Sequence, residues 1–294
     1  MENSQALNVE TNPLEINANA QINEEVLNAE EINESVKNRS LVSYFSSGEG
    51  LKKTVSIFGQ SEEEIEKEFK NYKAQKVFNK LSYLILDTSL CKTALKKECE
   101  TAVKYSFNSI TVLPNIVSVA KSYVNKGVNV NAIISFPYGE DNISVKLKAV
   151  SKAISDGANG VTLPVSVTKI KSATFKTISQ DFKKIVKKAR KKEVNVLIDV
   201  SKLSPTELQT TINTLIEIKG ITSIIPYETS REKTLDIATV KEIIKTANGK
   251  INVTVLGKIS TAEETISVLS LGVNNILSDK CVSVVIDAIK KLNF

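Results

Sequence analysis

From Leu81 onward the chain alternates short runs of β-branched and other apolar residues with amphipathic segments, and the loops between them are brief. The runs that read as strands are Tyr83–Asp87, Ser109–Leu113, Asn129–Ser135, Gly160–Pro164, Asn195–Asp199, Ser223–Pro226, Ile251–Leu256 and Asn275–Leu277. They are apolar without strict alternation, which suits strands buried on both faces in a parallel sheet covered by helices. Helix starts fall between them, including Ser204-Pro-Thr-Glu, with proline in the first turn, and Ser260-Thr-Ala-Glu-Glu. Eight strand–helix units in about 215 residues predict an α/β fold, a (β/α)8 TIM barrel spanning 81–294.

Two segments precede the barrel. Residues 1–60 are rich in Asn and Glu and end near the flexible break Ser46-Ser-Gly-Glu-Gly50. Alone, such an arm buries too little to order itself, yet Ile22, Val26, Ala29, Ile32 and Val36 fall near one helical stripe. It reads either as a disordered acidic tail or as a conditional helix that orders on docking. In 61–80, Ser61-Glu-Glu-Glu64 forms a capping box and Ile65, Phe69 and Tyr72 an apolar face, predicting a helix across one end of the barrel. The fold expected is thus a barrel with an acidic, partly helical N-terminal extension.

Composition removes several chemistries. With no histidine, the commonest general base, the usual zinc ligand and any Ser-His or Cys-His pair are absent, so chemistry must rest on Lys, Asp, Glu or Tyr. No metal and no cofactor is expected. Cys91, Cys99 and Cys281 lack Cys-x-x-Cys spacing, and the chain opens without a secretory pattern, so a reduced, cytoplasmic location is expected. No run reaches the ~18 apolar residues of a membrane span. Residues 1–40 hold eight Glu against one Lys and one Arg, a net of −6, so the rest carries +12 of the total +6. Lys183, Lys184, Lys187, Lys188, Arg190, Lys191 and Lys192 crowd one helix. Without an aromatic platform or recognition motif they read as a solvated face, and nucleic acid is not expected as a partner.

In a barrel of this kind, functional groups stand at the C-terminal strand ends. Those ends carry Asp87, Asp199, Glu228, Lys258, Asp279 and Lys280, enough for a lysine nucleophile with carboxylate partners. Phe136-Pro-Tyr-Gly139 after the third strand, Gly157-Ala-Asn159 before the fourth, Asp236-Ile-Ala-Thr-Val leading into a helix and Gly257-Lys-Ile-Ser-Thr261 closing the seventh together resemble deoxyribose-phosphate aldolase. The resemblance runs co-linearly from Leu81 to Phe294. It implies a class I aldolase barrel, in which a strand-six lysine forms a Schiff base, a strand-seven lysine lowers its pKa and a strand-four aspartate relays protons. Carried over, these positions fall on Ile225, Thr254 and Thr162, and no Lys or Asp occurs within Gly160–Pro164 or Ile221–Ser230. The family's glycine-rich phosphate site leaves a remnant here of Gly257, Lys258 and Ser278.

Two functions follow from this resemblance. The first, taken as the main expectation, is a degenerate pseudoenzyme: a non-catalytic structural or regulatory subunit of a larger protein assembly, such as a motor, cytoskeletal or membrane-associated machine. It would bind other subunits through residues 1–60, with homo-oligomers as a further possibility. The second is an active Schiff-base lyase or aldolase acting on a small phosphorylated sugar, with Lys258 or Lys280 as relocated lysine and Asp87, Asp199 or Glu228 as acid–base partner.

Overall fold

The computed structural model describes residues 77–124, 127–229 and 235–291. Eight parallel strands, β1 (Leu81–Ile85), β2 (Ser109–Val112), β3 (Asn129–Ile133), β4 (Gly160–Pro164), β5 (Glu193–Asp199), β6 (Ser223–Tyr227), β7 (Asn252–Leu256) and β8 (Asn275–Ser278), close into a barrel in chain order. Closure is made by β1 against β8, with Ser82 opposite Leu277. The helices between and after them are α1 (Lys92–Lys104), α2 (Val117–Tyr123), α3 (Ile143–Ser155), α4 (Val167–Lys171), α5 (Phe175–Lys188), α6 (Pro205–Ile216), α7 (Ile237–Ala247), α8 (Ala262–Ser270) and α9 (Cys281–Lys291). This is the (β/α)8 barrel that the alternation predicts.

Burial explains why the strand runs are apolar throughout. One face of each strand meets the helices, forming a large core that joins Ile110, Val130, Val161, Val196, Ile224 and Val255 to helix residues such as Phe182 and Ile243. The other face points into the barrel, where Leu84, Ile133, Leu197, Ile225, Tyr227, Leu256 and Leu277 form a second, smaller cluster. A strand buried on both sides has no polar face to alternate with.

Local chemistry fixes where the helices begin. At α8 the Thr261 hydroxyl accepts from the Glu264 N–H at 3.2 Å, while the Glu264 carboxylate accepts from the Thr261 N–H at 3.2 Å, a reciprocal capping box. Ser204 and Glu207 do the same at α6, behind Pro205. Replacing Thr261 with alanine should cost about 1 kcal/mol, measured as a lower urea midpoint with an unchanged slope. On α5, Ile178, Phe182 and Ile185 face inward while Lys183, Lys184, Lys187 and Lys188 are exposed, so the basic residues form a solvated outer face.

The expected arm over 1–60 and the start of the 61–80 helix lie outside the described residues. Val77 and Phe78, just before β1, are buried against the barrel core. Among the described residues no helix is long and apolar enough to cross a membrane.

Candidate functional site

The barrel interior is layered, and the layers follow from strand register. Thr162 on β4 pairs with Asn195 on β5, and Asn195 pairs with Ser223 on β6. Two residues further along, Leu197 pairs with Ile225. Because alternate residues share a face, these pairs lie on successive inward levels, polar toward the N-terminal strand ends and apolar toward the C-terminal ends.

Thr162, Ile225 and Thr254 lie together in the wall of one interior cavity of about 150 Å³. They are buried, at 1%, 3% and 6% exposure, and bear no amine or carboxylate. Directly above them the interior is sealed. Tyr227, 1% exposed, crosses from the end of β6 and donates its hydroxyl hydrogen to the Pro137 carbonyl. Its ring packs 5.8 Å from that of Phe136. Burial, and then the charge of Asp199, push the Tyr227 phenol well above its ordinary pKa, so it stays a neutral donor.

The Phe136-Pro-Tyr-Gly139 turn that receives Tyr227 is itself tightly held. Gly139 has φ +68°, and its N–H bonds the Ser135 carbonyl at 2.8 Å. The Gly139 carbonyl accepts from the amine of Lys146, a buried α3 lysine whose pKa is lowered by burial and then by the charge of Lys169. Lys146 was not legible as special in sequence, because a lysine on an amphipathic helix normally faces solvent. Its contact with Gly139 braces the turn from outside the barrel.

The charged candidates divide between two walls. Asp199 is buried on β5, where its carboxylate accepts from the Ser201 N–H at 3.2 Å and hydroxyl at 2.7 Å, and from the Thr229 hydroxyl. Glu228 follows Tyr227 on the same side. Asp87 and Lys280 both line a cleft of about 390 Å³ at the β1–β8 seam, lined also by Tyr83, Glu98 and Asp279. Asp87 accepts from the Ser89 hydroxyl at 2.6 Å and N–H at 2.8 Å, and these bonds hold its carboxyl below the usual range. Tyr83 donates to Glu98 at 2.6 Å. The exposed Lys280 amine makes no ion pair among the described residues. The fold therefore places Asp87 and Lys280 on one cleft and leaves Asp199 and Glu228 on the far wall, since β5 and β6 lie across the closed barrel from β1 and β8.

The phosphate remnant is partly committed to internal bonds. The Gly257 N–H donates to the Leu277 carbonyl at 3.2 Å, and the buried Ser278 hydroxyl donates to the Ile259 carbonyl at 3.2 Å. Lys258 alone of the three is exposed. No cluster of three or more metal-ligating side chains occurs among the described residues.

A closed parallel barrel with each strand followed by a helix is the architecture of the (β/α)8 class, whose functional groups stand at the C-terminal rim. The comparisons sharpen that class. No family model matches the chain. It is 26% identical over 202 residues to a deoxyribose-phosphate aldolase of Mycoplasmoides pirum, covering 67% of this chain and 90% of that protein. It is 25% identical over 211 residues to the corresponding aldolase of Caldicellulosiruptor saccharolyticus, covering 70% and 94%. Among solved structures it superposes on QR15, an aldolase, with a TM-score of 0.69 at 23% identity, covering 73% of this chain and 96% of the other. It also superposes on the tetrameric deoxyribose phosphate aldolase of Aeropyrum pernix with a TM-score of 0.64 at 17% identity, covering 81% and 96%. These two sequence relatives are deoxyribose-phosphate aldolases, and the two solved structures are aldolases of the same barrel fold.

These relatives overturn the main functional expectation. A non-catalytic structural or regulatory subunit is contradicted by aldolases that match over nine-tenths or more of their own length, and neither a pseudoenzyme nor a part in a larger complex finds support. The expectation rested on Thr162, Ile225 and Thr254, which describe only the strand centres, while the strand ends still carry Asp87, Asp199, Glu228, Lys258 and Lys280.

Proposed function

We propose that this chain is a Schiff-base lyase or aldolase acting on a small phosphorylated sugar, with Lys280 as its amine. The observation that carries the proposal is the cleft gathering Lys280, Asp87 and Asp279 at the C-terminal ends of β1 and β8. The Lys280 amine nitrogen adds to the substrate carbonyl carbon, the carbinolamine hydroxyl takes a proton from solvent, and loss of water leaves an iminium. That cation withdraws electrons as the carbon–carbon bond breaks, and Asp87, held ionised by Ser89, is placed to accept the hydroxyl proton released in the cleavage. Exposed Lys258, following the adjacent strand, supplies positive charge for a phosphate as a point charge rather than a shaped nest.

Incubation with deoxyribose 5-phosphate and borohydride should give a stable adduct on Lys280, read by intact mass and peptide mapping. Lys280→Ala should abolish it, and Asp87→Asn should lower turnover while sparing the adduct. Absence of any adduct, or one that persists in Lys280→Ala, would overturn the assignment. Self-association belongs to the same proposal, and sedimentation of the purified chain tests it.

A further inference from the structure

The chamber below Tyr227 is polar where an interior layer of a barrel is normally filled by branched aliphatic side chains. Its wall carries Thr111, Thr162, Thr254, Asn131, Asn195 and Ser223, contributed by β2 to β7. Ile225 and Leu277 belong both to this wall and to the apolar cluster above, so they form its ceiling. The exposed Asn108 and Asn252 stand at the other end, where β2 and β7 begin. The chamber therefore faces the N-terminal end of the strands, opposite the Lys280 cleft.

Its hydrogen-bonding capacity is incompletely used. Ser223 donates to the Asn195 carboxamide oxygen at 2.8 Å. Asn131, 5% exposed, has a carboxamide oxygen with no hydrogen-bond partner among the described residues. Gly160 leaves room beside it, since a Cβ there would lie 2.6 Å from that oxygen. Thr111, Thr162 and Thr254 are buried and line the same chamber. A buried polar atom such as the Asn131 oxygen is rarely left unpaired, and a cavity of about 150 Å³ has ample room for several waters or one small polyol. Among the described residues Glu193 is the single charged one in the wall, which disfavours an anion and selects a neutral ligand.

We propose that this chamber is a binding site for a small uncharged polyhydroxyl compound, entered from the N-terminal end of the barrel and separate from the Lys280 cleft. Erythritol is the probe, titrated into the full chain by calorimetry and by saturation-transfer NMR. Saturable binding is expected, weakened about tenfold or more by Thr162→Val, which deletes one hydroxyl at nearly constant shape. Thr254→Val provides the same reading if the first variant folds poorly, and a crystal with erythritol should show it beside Asn131. Lys280→Ala should leave erythritol binding unchanged, so failure of the lyase assignment and failure of this site are read separately. Binding that is not saturable, a chamber holding ordered waters only, or affinity unchanged in both threonine variants would overturn the proposal.

Discussion

Tyr227→Ala is expected to lower the stability of the barrel by about 3–5 kcal/mol, the range for truncating a fully buried aromatic side chain. The side chain is 1% exposed and joins Phe136, Ile225 and Leu256 in the cluster that fills the C-terminal half of the barrel. Its removal leaves a void at the centre of a closed sheet, which has little freedom to collapse, and strips the Pro137 carbonyl of its donor. Urea unfolding of both proteins gives the difference directly. Tyr227→Phe separates the two contributions, since it keeps the ring and should cost about 1 kcal/mol for the lost hydrogen bond. A loss below about 1 kcal/mol in the alanine variant would show that Tyr227 is not the packed seal described above.

Gly139→Ala is expected to cost about 2–5 kcal/mol, for two reasons that can be measured apart. At φ +68° an alanine pays about 1–2 kcal/mol in backbone conformation. In addition, its Cβ would lie 2.4 Å from the Pro164 carbonyl oxygen and 2.9 Å from the Pro164 Cβ, atoms at the end of β4 that have nowhere to go. Such overpacking adds about 1–3 kcal/mol. Gly249 also has φ +68°, but a Cβ there would meet nothing within 4 Å. Gly249→Ala therefore carries the backbone cost alone, and equal losses in the two variants would disprove the clash with β4.

The barrel was legible because its determinants are local and repeated. Each buried strand had to be apolar on both faces, and each run that met this condition became a strand, with ends shifted by no more than two residues. Tyr83–Asp87 became Leu81–Ile85, and Ile251–Leu256 became Asn252–Leu256. The helix starts were equally plain, because the Ser204 and Thr261 caps are made within four residues. Lys146 escaped notice for the opposite reason: its partner, the Gly139 carbonyl, belongs to the preceding loop and comes near only when the helix packs.

Function was harder to read, because charged residues at eight strand ends look equivalent in a linear sequence. Asp87 and Lys280 are almost two hundred positions apart and line one cleft because β8 closes against β1. Asp199, equally eligible by type, falls on the opposite wall. Thr162, Ile225 and Thr254 at the strand centres were visible at once, but their bearing on activity was not. What the chain determines by itself is the periodic burial that builds eight strands and the absence of lysine at their centres. Closure of the barrel decides the rest: it stacks threonine and asparagine into a polar chamber, turns Tyr227 into its lid, and places one lysine and one aspartate on the same cleft, since only a closed sheet makes its first and last strands neighbours.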